Sequence, residues 1–329
     1  MSEPRNSVIS RDSQGHRRVI AVVVTYNREQ LLHQCLDAIA AQTTPPAGVV
    51  IVDNASTDRS GHVADEHPLG ADVLHLRRNV GGAGGFAAGI ARALVRHDAD
   101  WVWVMDDDTV PRPDALAALL SAIEASPVRL SVLSSRAVWT DGREHPMNRS
   151  RTRWNARQQE RADAAAAGGR PIRTASYVSV LLRGEDVRRL GLPLADYFIW
   201  SDDFEHTGRL LRRGRGVHVP TSVVEHRTAT FANAQKSPGS RFYFDVRNRV
   251  WALLRTSSFS LPEKAMYGSA SVLGWVKRLL RHRGDLLGVG LRGLGDALRR
   301  GPRPSADVLS ADGDAAADVR RIEREAGRS

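Results

Sequence analysis

Three consecutive aspartates, Asp106, Asp107 and Asp108, close an apolar run, WVWVM. Adjacent carboxylates repel one another unless a cation or an arginine compensates them. Mg2+ and Mn2+ take oxygen ligands, often one or two carboxylates together with substrate phosphates. In an extended segment the first and third residues point the same way, so Asp106 and Asp108 can face one cation. Helix capping explains the cluster poorly, because Pro111 and Pro113 move the next helix start downstream. A second acidic group, WSDDFEH, contains Asp202, Asp203, Glu205 and His206. It offers a general base for an acceptor hydroxyl, or simply acids favoured in a first helical turn. Glu225-His226 brings an imidazole from a distant segment, either as a metal ligand or as a structural histidine. In NVGGAGGF (79–86) four glycines allow close approach of backbone to a ligand, and a helix N-terminus attracts anions. The run also contains a degenerate dinucleotide-type spacing, Gly82, Gly84 and Ala87, with Asp106 where a ribose-binding acid belongs. Tight helix–sheet packing is the competing explanation. Asp53 and Asn54 can accept hydrogen bonds from a base or ribose, and the same run reads equally well as a polar turn.

These groups need elements to hold them. VIAVVVTYN (19–27), VVIVDNAST (49–57), 72–76 and 101–105 read as buried strands, and 29–41, 86–94 and 114–125 as helices. Strand alternating with helix predicts a mostly parallel, three-layer α/β sheet. Such sheets bind ligands beyond the carboxyl ends of their strands, where 25–28, 53–54, 77–79 and 106–108 fall. Residues 141–173 are polar and rich in Arg and Ala, which predicts a loop or mobile insertion. Residues 174–183 read as one strand and 201–214 as an amphipathic helix with Ser201 as N-cap. VHVPTSVVEHR reads as a further strand. Beyond about residue 238 the pattern is helical and basic, and the segment from 305 reads as a frayed tail.

The chain has 329 residues, enough for one large domain or two ordinary ones, and 42% apolar residues. The lone Cys35 excludes an internal disulfide framework and a cysteine metal site. Residues 1–18 are polar and lack a signal-peptide core. No run reaches the ~18 apolar residues of a membrane span, so a cytoplasmic protein is expected. The net charge is +10, and three of the 47 basic residues are lysine. Arginine forks suit phosphate or lipid head groups, but no nucleic-acid-binding motif accompanies them. Residues 261–303 carry nine Lys/Arg against three acids. Leucines at 287, 291, 294 and 298 share one helical face, as do Val272, Val276, Leu279 and Leu280. Basic amphipathic helices suit an anionic membrane surface. A helical pair packed on the catalytic domain, its arginines solvated, is the alternative, and the glycines at 284, 288, 290, 293 and 295 argue against one unbroken helix.

In order, VVVTYNR, IVDNASTD, RNVGGAGGF, WVWVMDDD, WSDDFEH, VEHR and YFDVRNRV resemble the family 2 glycosyltransferases, over about 70% of the chain between residues 19 and 250. The likeness is strongest to bacterial cell-wall galactofuranosyl- and rhamnosyltransferases. It implies a GT-A fold, Rossmann-like, with a mostly parallel sheet flanked by helices and a basic helical C-terminal region. It implies a catalytic domain at 19–240; the composition of the rest predicts a disordered N-terminus at 1–18, a basic helical, membrane-associating region at 241–304 and a flexible tail at 305–329. By the resemblance Thr25, Asn27, Arg28, Asp53, Asn79, Gly82 and Asp107 bind the nucleotide sugar. Asp106, Asp108 and His226 hold Mn2+ or Mg2+, and Asp203 is the general base. The implied reaction inverts the anomeric centre: a sugar, best taken as galactofuranose from UDP-galactofuranose, passes to a lipid-linked glycan at the inner face of the membrane. A dTDP-rhamnose-dependent enzyme is the near alternative, and an NAD-dependent oxidoreductase using the glycine run is the distant one. No role follows for YFDVRNR.

Overall fold

The structure, a computed structural model, describes residues 17–231, 238–281 and 286–327. The stretch expected to be disordered, 1–18, lies outside these residues except for its last two. The strands are β1 (Val19–Thr25), β2 (Gly48–Asp53), β3 (Asp72–His75), β4 (Trp101–Asp106), β5 (Thr109–Pro111), β6 (Val132–Val138), β7 (Arg151–Thr152), β8 (Arg170–Thr174), β9 (Val180–Arg183) and β10 (Gly216–His226). They form one sheet of order β3-β2-β1-β4-β9-β6-β10-β8-β7, with β5 paired to β10. β3, β2, β1 and β4 run parallel, as do β6 and β10. β9 enters antiparallel between β4 and β6. All seven residues of β1 are buried, as a parallel strand covered on both faces requires. Its alternate residues enter different cores. Ile20, Val22 and Val24 face one side of the sheet, and Val19, Ala21 and Val23 the other. The register sets Thr25 beside Asp53 and Val24 beside Asp106, so the carboxyl ends of β1, β2 and β4 are level.

The helices are α1 (Glu29–Ala40), α2 (Ser60–Glu66), α3 (Gly81–Arg96), α4 (Ala115–Ala125), α5 (Gln158–Ala166), α6 (Gly184–Leu190), α7 (Asp202–Leu210), α8 (Pro238–Leu254), α9 (Leu261–Arg281), α10 (Leu286–Arg299), α11 (Ser305–Val308) and α12 (Gly313–Glu325). Three expectations need correction. Residues 141–173 form a 3₁₀ turn at Pro146–Asn148, then β7, α5 and most of β8. Their polarity misleads because α5 buries Glu160 against Arg153, 3.0 Å away, rather than an apolar stripe. The strand expected over 174–183 is broken, since β8 ends at Thr174 and β9 begins at Val180. The tail is not frayed over 305–327. α12 buries Ala315, Ala316, Val319 and Ile322 in the core that α3 occupies. Arg96 Nε meets Asp318 Oδ1 at 2.9 Å, and the Arg77 N–H donates to Asp312 at 2.7 Å. A narrow Ala/Val/Ile stripe inside a charged segment looks solvated until the alanine- and glycine-rich α3 provides a surface close enough to cover it.

α10 inverts the usual amphipathic arrangement. Leu286, Gly290, Gly293 and Ala297 are its buried residues, and the glycines let its backbone meet α8. A Cβ on Gly293 would stand 2.7 Å from the Tyr243 carbonyl oxygen. Leu287, Leu291, Leu294 and Leu298 consequently face outward. Of the glycines that argued against a continuous helix, Gly290 and Gly293 are its packing face, while Gly288 faces outward; Gly284 lies outside the described residues. α9 is tied to the sheet by a buried ion pair, Arg173 Nε to Glu263 Oε1 at 2.5 Å. Glu263 also accepts from the Ser260 N–H and hydroxyl.

Burial opposes ionisation of Glu263, but Arg173 and Ser260 outweigh it and hold its carboxyl at about 2. The unfolded chain therefore binds more protons between the free value and 2, and stability falls as pH drops through that window. The pH-linked stability comes from Arg173 and Ser260 together, net of burial, and is of order a few kcal/mol at neutral pH. Glu263→Gln, which strands Arg173, is expected to cost about 3–5 kcal/mol at pH 7 and to flatten the acid limb. Urea denaturation at pH 7 and pH 3 checks both effects.

Candidate active site

The acidic run ends β4, and β5 returns antiparallel to β10 with Thr109 opposite His226. That pairing brings His226 to Asp108: Nε2 lies 3.0 Å from Oδ1. Asp106, Asp108 and His226 each offer a ligand atom, all within 4.8 Å of one another. His226 Nδ1 meets Asn148 Oδ1 at 2.9 Å. A carbonyl oxygen only accepts, so Nδ1 holds the ring proton in the neutral form and Nε2 is left toward the carboxylates. Asp108 Oδ1 is buried without a well-directed hydrogen bond. Two carboxylates and an oriented imidazole, one oxygen of the set unsatisfied, fit a divalent cation such as Mn2+ or Mg2+. Burial, then Asp108, pushes the Asp106 carboxyl up to about 7. Burial works against Asp108 too, but His226 and Arg28 hold it below the ordinary carboxylate range.

Asp107 turns the other way. Its Oδ2 accepts from Thr25 Oγ1 at 2.8 Å and from the Tyr26 N–H at 3.2 Å, while burial and Asp108 raise its carboxyl to about 7. Arg28 reaches Asp108 Oδ2 at 3.2 Å. Arg28, Gly82, Asp106, Asp107, Asp108, Asp203 and His226 all line one cavity of about 900 Å³. Among the described residues Thr25, Asn27, Asp53 and Asn79 are not part of that lining. Thr25 is bonded to Asp107, and the other three hold backbone N–H groups. Asn27 Oδ1 accepts from the Thr57 N–H at 2.7 Å, and Asn79 Oδ1 from the Gly81 N–H at 2.8 Å. Asp53 is held by the Ser56 N–H and by His75 at 3.1 Å. Asn54, paired with Asp53 in the sequence reading, braces the glycine loop: its amide donates to Gly81 O and accepts from the Val80 N–H, both at 2.9 Å.

The glycine run packs its helix tightly, the competing explanation above, and one of its glycines borders the cavity. Gly85 packs α3 on β1, where a Cβ would fall 2.5 Å from Val24 Cγ1. Gly81 has φ +74°, and a Cβ there would collide with the Phe198 carbonyl. Gly82 alone of the four faces the cavity. The run is therefore a helix start wedged under the 198–201 segment.

That segment presents the second acidic pair. Phe198, Trp200 and Ser201 all have positive φ, a conformation that costs non-glycine residues about 1–3 kcal/mol each. Ser201 precedes α7 but makes no side-chain cap; in this left-handed conformation it does not fill the capping role. The restraint comes from α8. The Asn248 amide donates to the Tyr197, Ile199 and Trp200 carbonyls at 2.8–2.9 Å, and the Arg247 guanidinium to those of Asp196 and Tyr197. This is the role of the YFDVRNR motif that the sequence left open. Asp202 is buried, and burial followed by Asp203 drives its carboxyl well above the ordinary range. Asp203 is half-buried, and its Oδ1 accepts from the Phe204 N–H at 2.6 Å. Burial raises its carboxyl, with that N–H, Arg249 and Arg151 opposing.

Several lining residues escaped the sequence reading. Asn148 and Arg151 lie in the stretch read as a loop. Tyr177, whose hydroxyl meets His206 Nδ1 at 2.5 Å, lies where a continuous strand was expected. Arg249 ends the motif with no assigned role, although its place at the close of a helical basic run was a usable signal.

Residues 20–181 match the family model described as Glycosyl transferase family 2. Galactofuranosyltransferase GlfT1 of Mycobacterium tuberculosis is 33% identical over 252 residues, 71% of this chain and 82% of that protein. Its namesake in Mycolicibacterium smegmatis is 33% identical over 205 residues, 60% of this chain and 66% of that protein. The M. tuberculosis N-acetylglucosaminyl-diphospho-decaprenol L-rhamnosyltransferase is 26% identical over 238 residues, 63% and 75% of the two chains. Among solved structures, S. aureus TarS 1-349 in complex with UDP-GlcNAc superposes with a TM-score of 0.60 at 17% identity, covering 93% of this chain and 90% of that one. The mannosyltransferase PcManGT from Pyrobaculum calidifontis, in complex with GDP-Man and Mn2+, gives 0.54 at 20%, covering 98% and 86%.

Proposed function

Because the chain belongs to glycosyltransferase family 2, we propose that it is a divalent-cation-dependent, inverting transferase. It moves galactofuranose from UDP-galactofuranose to a lipid-linked cell-wall glycan. The observation that carries this reading is the cavity itself, which collects the Asp106, Asp108 and His226 cluster and Asp203 in one lining. The relatives support galactofuranose, since 33% identity to the galactofuranosyltransferase exceeds 26% to the rhamnosyltransferase. The oxidoreductase reading has lost its support: α3 uses its glycines to approach β1 and Phe198, and a hydride transfer gives the acidic cluster no task.

Asp106, Asp108 and His226 would hold Mn2+ or Mg2+, which when bound neutralises the charge of a departing diphosphate. Arg28, joined to Asp108, adds a fixed positive charge at the same corner. Asp107 braces the β1 end through Thr25 and Tyr26 and presents its remaining oxygen to the donor. Asn148 keeps the His226 ring in one tautomer. Asp203 accepts the acceptor hydroxyl proton as that oxygen attacks the anomeric carbon from the face opposite the leaving group. The test is calorimetric binding of UDP, dTDP, GDP and NAD with and without Mn2+, followed by transfer assays with UDP-galactofuranose and dTDP-rhamnose. Mn2+-dependent UDP binding with galactofuranosyl transfer is expected; preferred NAD binding would reject the reading, and rhamnosyl transfer would change the sugar.

No helix among the described residues is long and apolar enough to cross a membrane. The outward stripe of α10, together with Val272, Leu273, Val276 and Leu280 on α9, leaves a large apolar face exposed; Leu280 is 79% accessible. Exposed apolar side chains on helices that also carry Arg and Lys fit an anionic bilayer. Leu273→Ser with Leu280→Ser and Leu291→Ser removes apolar contact without touching the packing face of α10. It is expected to reduce co-sedimentation with vesicles containing anionic lipid by about 10-fold or more, with the melting temperature retained. Unchanged sedimentation would refute membrane docking through this face.

A further inference from the structure

Arg249 on α8 and Arg151 on β7 both line the cavity beside Asp203. Their guanidinium carbons lie 4.1 and 5.2 Å from the centroid of one ring, Phe204, and Arg151 is also 5.7 Å from that of Tyr267. Neither has an ion-pair partner among the described residues. The nearest candidate on α8, Asp245, is engaged by Arg278 at 3.3 Å and by Trp275 Nε1 at 3.2 Å. Two like charges share one aromatic platform; burial and Arg151 make the charged form of Arg249 less favourable, and Asp245 and Asp203 offset this only in part. Holding two guanidiniums in this way is costly unless an anion joins them, because the rings fix their positions but supply little charge.

The donor corner is built from β1, β4 and β10 and already has Arg28. Arg151 and Arg249 come from other elements and flank the residue following Asp203. The same cavity continues to Arg278 on α9, the helix whose outer face exposes Val272, Leu273, Val276 and Leu280. We propose that Arg151 and Arg249 form a clamp for an anionic group of the acceptor, a phosphate or diphosphate ester held beside the base. The assignment rests on the glycosyltransferase reading above, because that reading is what makes the Asp203 side the acceptor side. Guanidinium forks grip phosphate oxygens bidentately, so the clamp fixes the acceptor while leaving its hydroxyl free to approach Asp203.

The test uses the full chain with saturating UDP and Mn2+, so that the donor corner is filled. Binding of methyl diphosphate and of decyl diphosphate is measured by calorimetry for wild type, Arg151→Gln, Arg249→Gln and Arg249→Lys. Each Gln variant is expected to weaken diphosphate binding about 10-fold or more, Arg249→Lys less, and UDP affinity is expected to hold. Arg151 is exposed, so its variant reads the clamp even if the Arg249→Gln protein folds poorly. Unchanged diphosphate affinity would overturn the proposal and leave the arginines as partners of Asp203 alone. An equal loss of UDP affinity would also overturn it by moving them to the donor. Tighter binding of the decyl than the methyl ester sustains the clamp and assigns a lipid-tethered anion; equal binding sustains it for a soluble phosphate ester. If wild type binds no UDP in the presence of Mn2+, the transferase reading fails separately, and the Gln variants still judge the clamp by diphosphate binding.

Discussion

Asp203→Asn is expected to leave donor affinity near wild type and to lower sugar transfer by about 10²–10⁴-fold, the usual range for acid–base catalysis. Asparagine keeps the shape and can still accept the Phe204 N–H bond, but it has no carboxylate to take the hydroxyl proton. Burial raises the Asp203 carboxyl, so it is a stronger base than a solvated aspartate, while the N–H, Arg249 and Arg151 keep the rise in check. Asp202 is the control. Burial and its neighbour Asp203 drive it toward the neutral acid, which asparagine imitates, so Asp202→Asn should alter turnover far less. Donor affinity by calorimetry and transfer to a lipid-linked acceptor are measured together. Normal turnover in Asp203→Asn rules out this base. Turnover and donor affinity lost together would make Asp203 a binding residue.

Asp108→Ala should remove Mn2+-dependent UDP binding, a loss of at least about 100-fold, larger than outer partners of a metal site usually cost. The wild-type pH dependence follows from the same cluster. Asp106 titrates at about 7, and burial lowers but Asp108 raises the proton affinity of His226, with a net upward shift. Both must lose protons to act as ligands. Mn2+ affinity should therefore climb as pH rises through about 7, with protons released on binding, and fall below it. Without the Asp108 charge the Asp106 carboxyl should ionise more easily, so the weak residual binding should shift its pH dependence downward. Calorimetry at pH 6 and pH 8 in buffers of different ionisation enthalpy reads affinity and proton release; UDP binding in Asp108→Ala equal to wild type would reject the assignment.

The parallel half of the sheet was legible because its strands are continuous apolar runs that end in polar residues, and that local grammar carries straight to Thr25, Asp53 and Asp106. The Asp106–Asp108–His226 grouping was legible only through the resemblance, since nothing local in VEHR says that β5 will return it to β4. Where burial is achieved by charge pairing, as with Glu160 and Arg153 in α5, the pattern of apolar residues gives no warning. The same holds where a positive-φ segment is held from afar. Asn248 acts on the carbonyls of Tyr197, Ile199 and Trp200, and backbone acceptors leave no trace in residue types. Asp53, Asn27 and Asn79 show another side of this: polar residues at strand ends that the resemblance gave to the ligand also bond the turns that shape the site.

The late helix α12 sets an order of events during synthesis. Arg77 and Asp312 are 235 residues apart, and Arg96 and Asp318 are 222 apart. A ribosome adding about 5–20 residues per second leaves the α12-facing surface of α3 without its cover for roughly 10–40 s after α3 has been made. The nascent N-terminal half must wait, its alanine and glycine face exposed, for a segment translated near the end. Premature termination upstream of residue 313 would therefore damage the first half of the protein as surely as the last, and chaperone dependence should be greatest for chains stalled between the two.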